Sequence, residues 1–211
     1  MLGRMTIFAL SFALAAIWAS GPALADDAAP APPKTVAAVP VPDDFPDSLA
    51  ERNTLVAELY DRLRETRDPE VNTKITGALE RLWVYSGSDT ADLLLSRASV
   101  AIEAKQPEVA RQVLDALIAL EPGYAEAWNR RAYLNYSEQK VKAAIADLAH
   151  VLTIDPHHFK ALEGLGTILK ETGKTRQALR AFRLVLEINP LAEQSKDAVK
   201  QLEREVEGQK I

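Results

Sequence analysis

The chain has 211 residues, of which 47% are hydrophobic and only 6% aromatic, so we expect one or two domains with mainly aliphatic cores. Its formal net charge of −5 argues against a nucleic-acid partner, because such partners require Lys and Arg gathered on one face. The absence of cysteine excludes disulfides, thiolate catalysis, cysteine-ligated zinc and iron–sulfur clusters.

The first 25 residues have the layout of a secretory signal peptide. Arg4 gives a short basic start, an apolar run covers residues 6–19, and Ala23 and Ala25 are the small residues needed for cleavage after Ala25. The apolar run is shorter than the ~20 residues that span a bilayer, which disfavours the alternative of an uncleaved anchor. We therefore expect an exported protein, in the periplasm of a bacterium, without stable membrane insertion after cleavage.

Residues 26–47 are rich in proline and show no apolar periodicity. Such chain favours the extended polyproline conformation, at ~3.1 Å per residue, and predicts a flexible linker. Two alternatives stay open. The segment is either a docking peptide for a proline-binding groove, or an occupant of this protein's own groove.

A helical pattern begins at Ser48, a residue suited to capping a helix start, and apolar residues recur on one face up to Leu63. A second helix is expected from Pro69, because proline at the first helical position loses no needed N–H group, and it runs to Trp83. Residues 48–90 therefore predict an N-terminal helix pair.

Three prolines at equal intervals then mark an internal repeat: Pro122, Pro156 and Pro190 are each 34 residues apart. Aligned on them, the chain divides without gaps into three blocks, residues 91–124, 125–158 and 159–192. Small residues recur in both halves of each block and let two helices approach closely. The first-half slot holds Ala98, Ala132 and Gly166; the second-half slots hold Ala110, Ala144 and Ala178, followed by Leu114, Leu148 and Phe182.

This pattern resembles the tetratricopeptide repeat, which has a period of 34 residues and a proline after its second helix. The clearest block matches the family at Trp128, Ala132, Ala144 and Pro156. Arg131 and Asn135 depart from it, since Leu and Tyr are usual there, and Arg97 departs likewise in the first block. The resemblance implies an all-α fold, an α-solenoid of helix pairs with an N-terminal helix pair and a C-terminal capping helix.

Both ends of the stack are expected to be covered. A shift of 38 residues aligns Pro69–Val71 with Pro107–Val109, so residues 48–90 are interpreted as a degenerate repeat over the apolar N-terminal end. Residues 193–211 place Val199 and Leu202 on one face and charges elsewhere, which predicts a solubilising cap.

The resemblance also implies a concave groove lined by the first helix of each pair, suited to an extended peptide or a partner helix. Asn129 and Tyr133 are its strongest candidates, because an amide can bond a peptide backbone and aromatic residues carry much interface energy. The family's carboxylate clamp is not supported, since Leu95 and Ser99 occupy its slots. The candidate groove residues are Leu95, Ser99, Ile102, Asn129, Arg130, Tyr133, Tyr136, Lys160, Glu163, Thr167 and Lys170.

The sequence contains no catalytic or nucleotide-binding motif, so we predict no enzyme, no cofactor and no metal site. His157 and His158 are adjacent, but neighbouring side chains diverge, and surface positions in a loop are expected. Trp83 and Trp128 are expected in the core. The predicted function is an interaction module or adaptor for a protein or peptide in the cell envelope. The alternatives are a homo-oligomerising scaffold and a small-ligand carrier or enzyme accessory subunit.

Overall fold

Nine helices and no strand make up the described part of this computed structural model, residues 46 and 48–208. The helices are α1 (Leu49–Glu65), α2 (Pro69–Trp83), α3 (Asp89–Glu103), α4 (Pro107–Leu120), α5 (Ala125–Ser137), α6 (Val141–Ile154), α7 (Phe159–Glu171), α8 (Thr175–Ile188) and α9 (Glu193–Gly208). The pairs α3/α4, α5/α6 and α7/α8 stack in sequence, and α9 packs on α8. The expected all-α solenoid is confirmed. The predicted signal peptide and, apart from Pro46, the linker lie outside the described residues.

The turn inside each repeat passes through one residue in the left-handed conformation. Lys105, Gln139 and Gly173 occupy the same slot, with φ of 55°, 62° and 73°. The backbone N–H of the next residue then donates to the carbonyl five positions earlier, at 2.8 Å in all three turns. This hydrogen bond closes the first helix of the pair in the manner of a Schellman motif and turns the chain into the second.

The connection between repeats is also the same three times. The second helix ends at Glu121, Asp155 or Asn189, and the backbone N–H of each donates to the carbonyl four residues back. Proline follows and cannot continue the helical hydrogen bonds. We call the three connections joint 1, joint 2 and joint 3, which are residues 121–124, 155–158 and 189–192.

The N-terminal pair, here called the hairpin (residues 49–84), packs along these joints. The buried residues Leu63 and Leu79 of the hairpin share one core with Phe159 of α7 and Val185 of α8. α1 also contacts α8 directly. The structure thus differs from the expectation that this pair stacks as a degenerate repeat on α3.

Hydrogen bonds fasten the hairpin at each joint. At joint 1 the Tyr124 hydroxyl donates to the Val84 carbonyl oxygen at 2.6 Å. At joint 2 the Tyr60 hydroxyl donates to Asp155 Oδ2 at 2.8 Å. At joint 3 the Asn72 side-chain amide donates to Asn189 Oδ1 at 2.7 Å. The residues that end the second helices therefore also position the hairpin, which explains its placement.

Because the hairpin lies along the joints, the outer edge of α3 stays open. Leu93 and Val100 are 53% and 62% exposed, although both are large and apolar. The equivalent slots of the next two repeats are buried against the preceding repeat; they hold Ala127 and Leu134 in α5, and Ala161 and Ile168 in α7. The N-terminal edge of the stack is therefore uncovered by any described residue.

At the other end, α9 covers the last repeat. Ala198 and Leu202 of α9 share a core with Leu169 and Phe182, and charged residues occupy the outer face. None of the helices in residues 48–208 combines the length and apolar character that crossing a bilayer requires.

The close approach within each pair depends on the small slot predicted from the sequence. A Cβ built on Gly166 would lie 2.9 to 3.1 Å from three ring atoms of Phe182, which is closer than real Cβ atoms pack. In the first two repeats the corresponding partners are Ala98 with Leu114 and Ala132 with Leu148. Gly166 is thus the counterpart of the larger Phe182 side chain.

We expect Gly166→Ala to lower the free energy of unfolding by about 1–2 kcal/mol, because overpacking a filled core costs more than the ~1 kcal/mol that alanine adds to a helix. On the Phe182→Leu background the same substitution should instead stabilise the protein. Urea titrations followed by far-UV circular dichroism would measure both. A stabilising Gly166→Ala in the otherwise unchanged protein would show that the Phe182 ring moves freely.

Candidate binding groove

A cleft of about 310 Å³ lies between α5 and α7 on the face formed by the first helices of the repeats. Six predicted residues line it: Asn129, Arg130, Tyr133, Tyr136, Lys160 and Thr167. Ala132, Leu148 and Ile168 add apolar surface between them. The cleft therefore combines an apolar floor with hydrogen-bonding and charged groups.

A second cleft of about 380 Å³ continues along α7 towards α9. Glu163 and Lys170, both predicted, line this part, and Thr167 lines both clefts. The Lys170 ammonium donates to Gln201 Oε1 of α9 at 2.7 Å, so the capping helix forms one wall. We call the two clefts together the groove.

The three predicted residues on α3 do not line the groove. Leu95 is buried in the core of the first repeat, and Ile102 packs against that core. The Ser99 hydroxyl donates to the Leu95 carbonyl oxygen of its own helix at 3.0 Å. Leu95 is therefore a core residue, which corrects the expectation that it faces a partner. The small residues Ala91, Ala98 and Ala101 leave space that Leu95 fills.

Two tyrosines stand on the α5 side of the groove. Tyr133 is 61% exposed and has the largest accessible aromatic surface there. The Tyr136 hydroxyl donates to the carboxylate of Glu171 across the groove, and this hydrogen bond raises the pKa of Tyr136. Tyr136 is thus held in place, whereas Tyr133 is free to contact a partner.

A buried carboxylate lies beneath Asn129 and Arg130. Glu126 accepts a hydrogen bond from Asn129 Nδ2 at 2.9 Å, and its other oxygen lies 2.7 Å from Arg130 Nε. Burial raises the pKa of Glu126, but the His158 imidazole and the Arg130 charge outweigh burial, and the net pKa is lowered. Glu126 therefore stays ionised and fixes two groove side chains from below.

His158 connects this carboxylate to the hairpin. Its Nδ1 accepts a hydrogen bond from the Ala161 backbone N–H at 3.2 Å and so caps α7. Nε2 lies 3.7 Å from the Glu126 carboxylate, and the ring stacks on Trp83 with centroids 3.9 Å apart. His158 is fully buried, which corrects the expectation of a surface loop; His157 is exposed as expected.

The departures from the family pattern in the second repeat are explained by a polar network. Arg131 binds both carboxylate oxygens of Asp147, at 2.7 and 3.1 Å, and reaches Asp115 of the first repeat at 2.8 Å. Asn135 donates to Asp147 and accepts from Arg111. A buried, hydrogen-bonded ion network thus replaces the usual apolar contacts between these repeats.

The remaining predictions concern metal and tryptophan. No group of three or more His, Cys, Asp or Glu residues within 48–208 is arranged to hold a metal ion. Trp83 is buried as predicted. Trp128 is half-buried between His150 and Arg131, and its indole N–H donates to the Pro122 carbonyl oxygen at 3.0 Å. Both tryptophans are therefore part of the packing.

Comparison with known proteins places these features in context. The family profile of the tetratricopeptide repeat matches residues 125–158 and 159–190. A TPR repeat-containing protein of Rhizobium etli is 36% identical over 177 residues, covering 78% of this chain and 87% of that protein.

Solved structures show the same fold. MamA has a TM-score of 0.53 at 16% identity, covering 78% of this chain and 87% of MamA. The Yersinia enterocolitica type III secretion chaperone SycD, solved with a peptide of the translocator YopD, has a TM-score of 0.53 at 17% identity. It covers 56% of this chain and 95% of SycD. At these identities the likeness concerns the fold alone.

Glu126→Gln is expected to lower the free energy of unfolding at pH 7 by about 1–3 kcal/mol, because Arg130 loses its charged partner in a buried site. The pKa of Glu126 is lower in the folded state, so the stability it contributes is complete above its ordinary value near 4.5. That contribution is lost as the pH falls through the folded value.

The difference between the two proteins should therefore shrink below pH 4.5 in urea titrations from pH 7 to pH 3. Glu58→Gln, at an exposed position of α1, is the matched control and should change stability little at any pH. A difference that stays constant across this range would contradict the assignment of an ionised, paired Glu126.

Proposed function

Because the chain belongs to the tetratricopeptide repeat family, we propose that it is a non-catalytic interaction module that binds a protein or peptide in the groove. The observation that supports this most is the composition of the cleft between α5 and α7. It presents one exposed tyrosine and an amide above an apolar floor, in a site open along its length.

The groove suits an extended peptide better than a compact ligand. Asn129 can bond a peptide backbone, Tyr133 offers aromatic surface, and the floor can take apolar side chains of the bound segment. The solved structure of SycD holds a peptide of the translocator YopD. The shared fold makes the same mode of binding available to this chain.

The location we propose is the bacterial cell envelope, most simply the periplasm. The proposal rests on the signal-peptide pattern of residues 1–25, with cleavage after Ala25, and on the proline-rich residues 26–47 as a linker. A linker of this kind would let residues 48–208 act as an adaptor at some distance from an attachment point.

Site-specific photocrosslinking tests the groove. A photoreactive phenylalanine in place of Tyr133 should crosslink a discrete partner in cells that make the protein, and Asn129→Ala should reduce that crosslink several-fold. The same photoreactive residue in place of Leu184, an exposed apolar position on α8, is the control and should give no such product. Equal products from both positions would place recognition outside the groove.

Self-association is a second candidate function, supported by the open edge of α3. Leu93 and Val100 are exposed where the other repeats bury their equivalents, and exposed apolar repeat edges favour contact with another chain. This reading makes the stack a homo-oligomerising scaffold.

Sedimentation velocity over a hundredfold range of concentration decides between the two. A scaffold predicts a sedimentation coefficient that rises with concentration and a return to the monomer value in Leu93→Lys. Leu184→Lys, an equally exposed leucine on α8, should not alter association. A monomer at every concentration would eliminate the scaffold.

A further inference from the structure

The largest described cleft is not the groove. It has a volume of about 450 Å³, within the range typical of small-molecule sites, and lies where α1 meets joints 1 and 2. Its lining includes the charged residues Arg52, Glu121 and Asp155. We call it the hairpin cleft.

Arg52 is a half-buried cation without an anionic partner. Its Nε donates to the Leu82 carbonyl oxygen and its Nη1 to Asn53 Oδ1, both at 2.9 Å. Nη2 has no hydrogen-bond acceptor, and no carboxylate lies within 4 Å of the guanidinium, among residues 48–208. Burial lowers the pKa of Arg52, against the opposing effect of Asp155. A desolvated, unpaired guanidinium in a cleft is a candidate anion site.

The two carboxylates of the hairpin cleft are unpaired as well. Asp155 accepts hydrogen bonds from the Tyr60 hydroxyl and the His157 backbone N–H, yet it forms no ion pair with a described Lys or Arg. Glu121 forms none either, and its side chain makes no hydrogen bond to the described part of the chain. In the groove, by contrast, Arg130 is paired with Glu126 and Lys160 with Glu163.

An apolar wall completes the hairpin cleft. Leu49 and Ile154 line it and remain 49% and 40% exposed, and Val56 lies beside them. Each exposed aliphatic side chain would gain from contact with an apolar ligand group, since burial of apolar surface is favourable by ~25 cal/mol per Å².

From these features we propose that the hairpin cleft binds a small zwitterion, an aliphatic amino acid or dipeptide. The carboxylate of the ligand pairs with Arg52, its ammonium group pairs with Asp155 and Glu121, and its side chain contacts Leu49 and Ile154. A purely anionic ligand would meet two unpaired carboxylates, and a purely cationic ligand would meet the guanidinium. A ligand with both charges satisfies all three groups. This proposal does not depend on what the groove binds.

Isothermal titration calorimetry with leucyl-leucine tests the charge requirement on the unaltered protein. The dipeptide should bind saturably, with one molecule per chain. N-acetyl-leucyl-leucine lacks the ammonium group and leucyl-leucinamide lacks the carboxylate, so each should bind at least tenfold more weakly. Absence of saturable binding, or equal binding of the three peptides, would overturn the proposal.

Two variants assign the charges to residues. Arg52→Gln should weaken leucyl-leucine at least tenfold and bring it level with leucyl-leucinamide, because the carboxylate then has no partner. Glu121→Gln with Asp155→Asn should bring leucyl-leucine level with the N-acetyl form. Arg183→Gln, at an exposed arginine paired with Glu203, should bind like the unaltered protein. A folded Arg52→Gln variant, verified by its thermal unfolding, that binds leucyl-leucine unchanged would also overturn the proposal.

Discussion

The close contact of two helices at one small residue is the constraint on which this structure depends. Each repeat opposes a large apolar side chain with an alanine, or with Gly166 where the opposing side chain is the phenylalanine Phe182. Because this contact recurs every 34 residues, each pair presents its first helix in the same direction. The groove between α5, α7 and α9 exists because these first helices share one face.

Polar groups connect the elements that this apolar packing forms. Glu126 lies between two groove side chains and the buried His158, which in turn stacks on Trp83 of the hairpin. Arg131 connects the first repeat to the second through carboxylates of both. Such buried networks are costly unless fully bonded, so they favour one arrangement of the repeats over others.

Much of the fold could be predicted from the sequence, because its periodicity is local. The prolines, the small slots and the starts at Ser48 and Pro69 each depend on residues a few positions away. The position of the hairpin could not be predicted, since it depends on Tyr60 and Asn72 meeting joints about a hundred residues later in the chain. Sequence spacing carries no signal for such pairs.

The groove was predicted in part for the same reason. The family positions are correct for Asn129 and Tyr133, where the second repeat follows the pattern. They fail at Leu95, where the first repeat has few large residues and the leucine is needed for the core. Glu126, assigned by the same positions to the groove face, is buried because His158 and Arg130 surround it.

The hairpin has a mechanical consequence. Stacked helix pairs behave like a coil spring, in which small rotations at each connection add up to a change in curvature. A rigid two-helix strut bonded to all three connections resists those rotations together. The coil is thus stiffened along one edge, and the width of its concave side is fixed before any partner arrives. A partner would then bind without the entropic cost of ordering the coil.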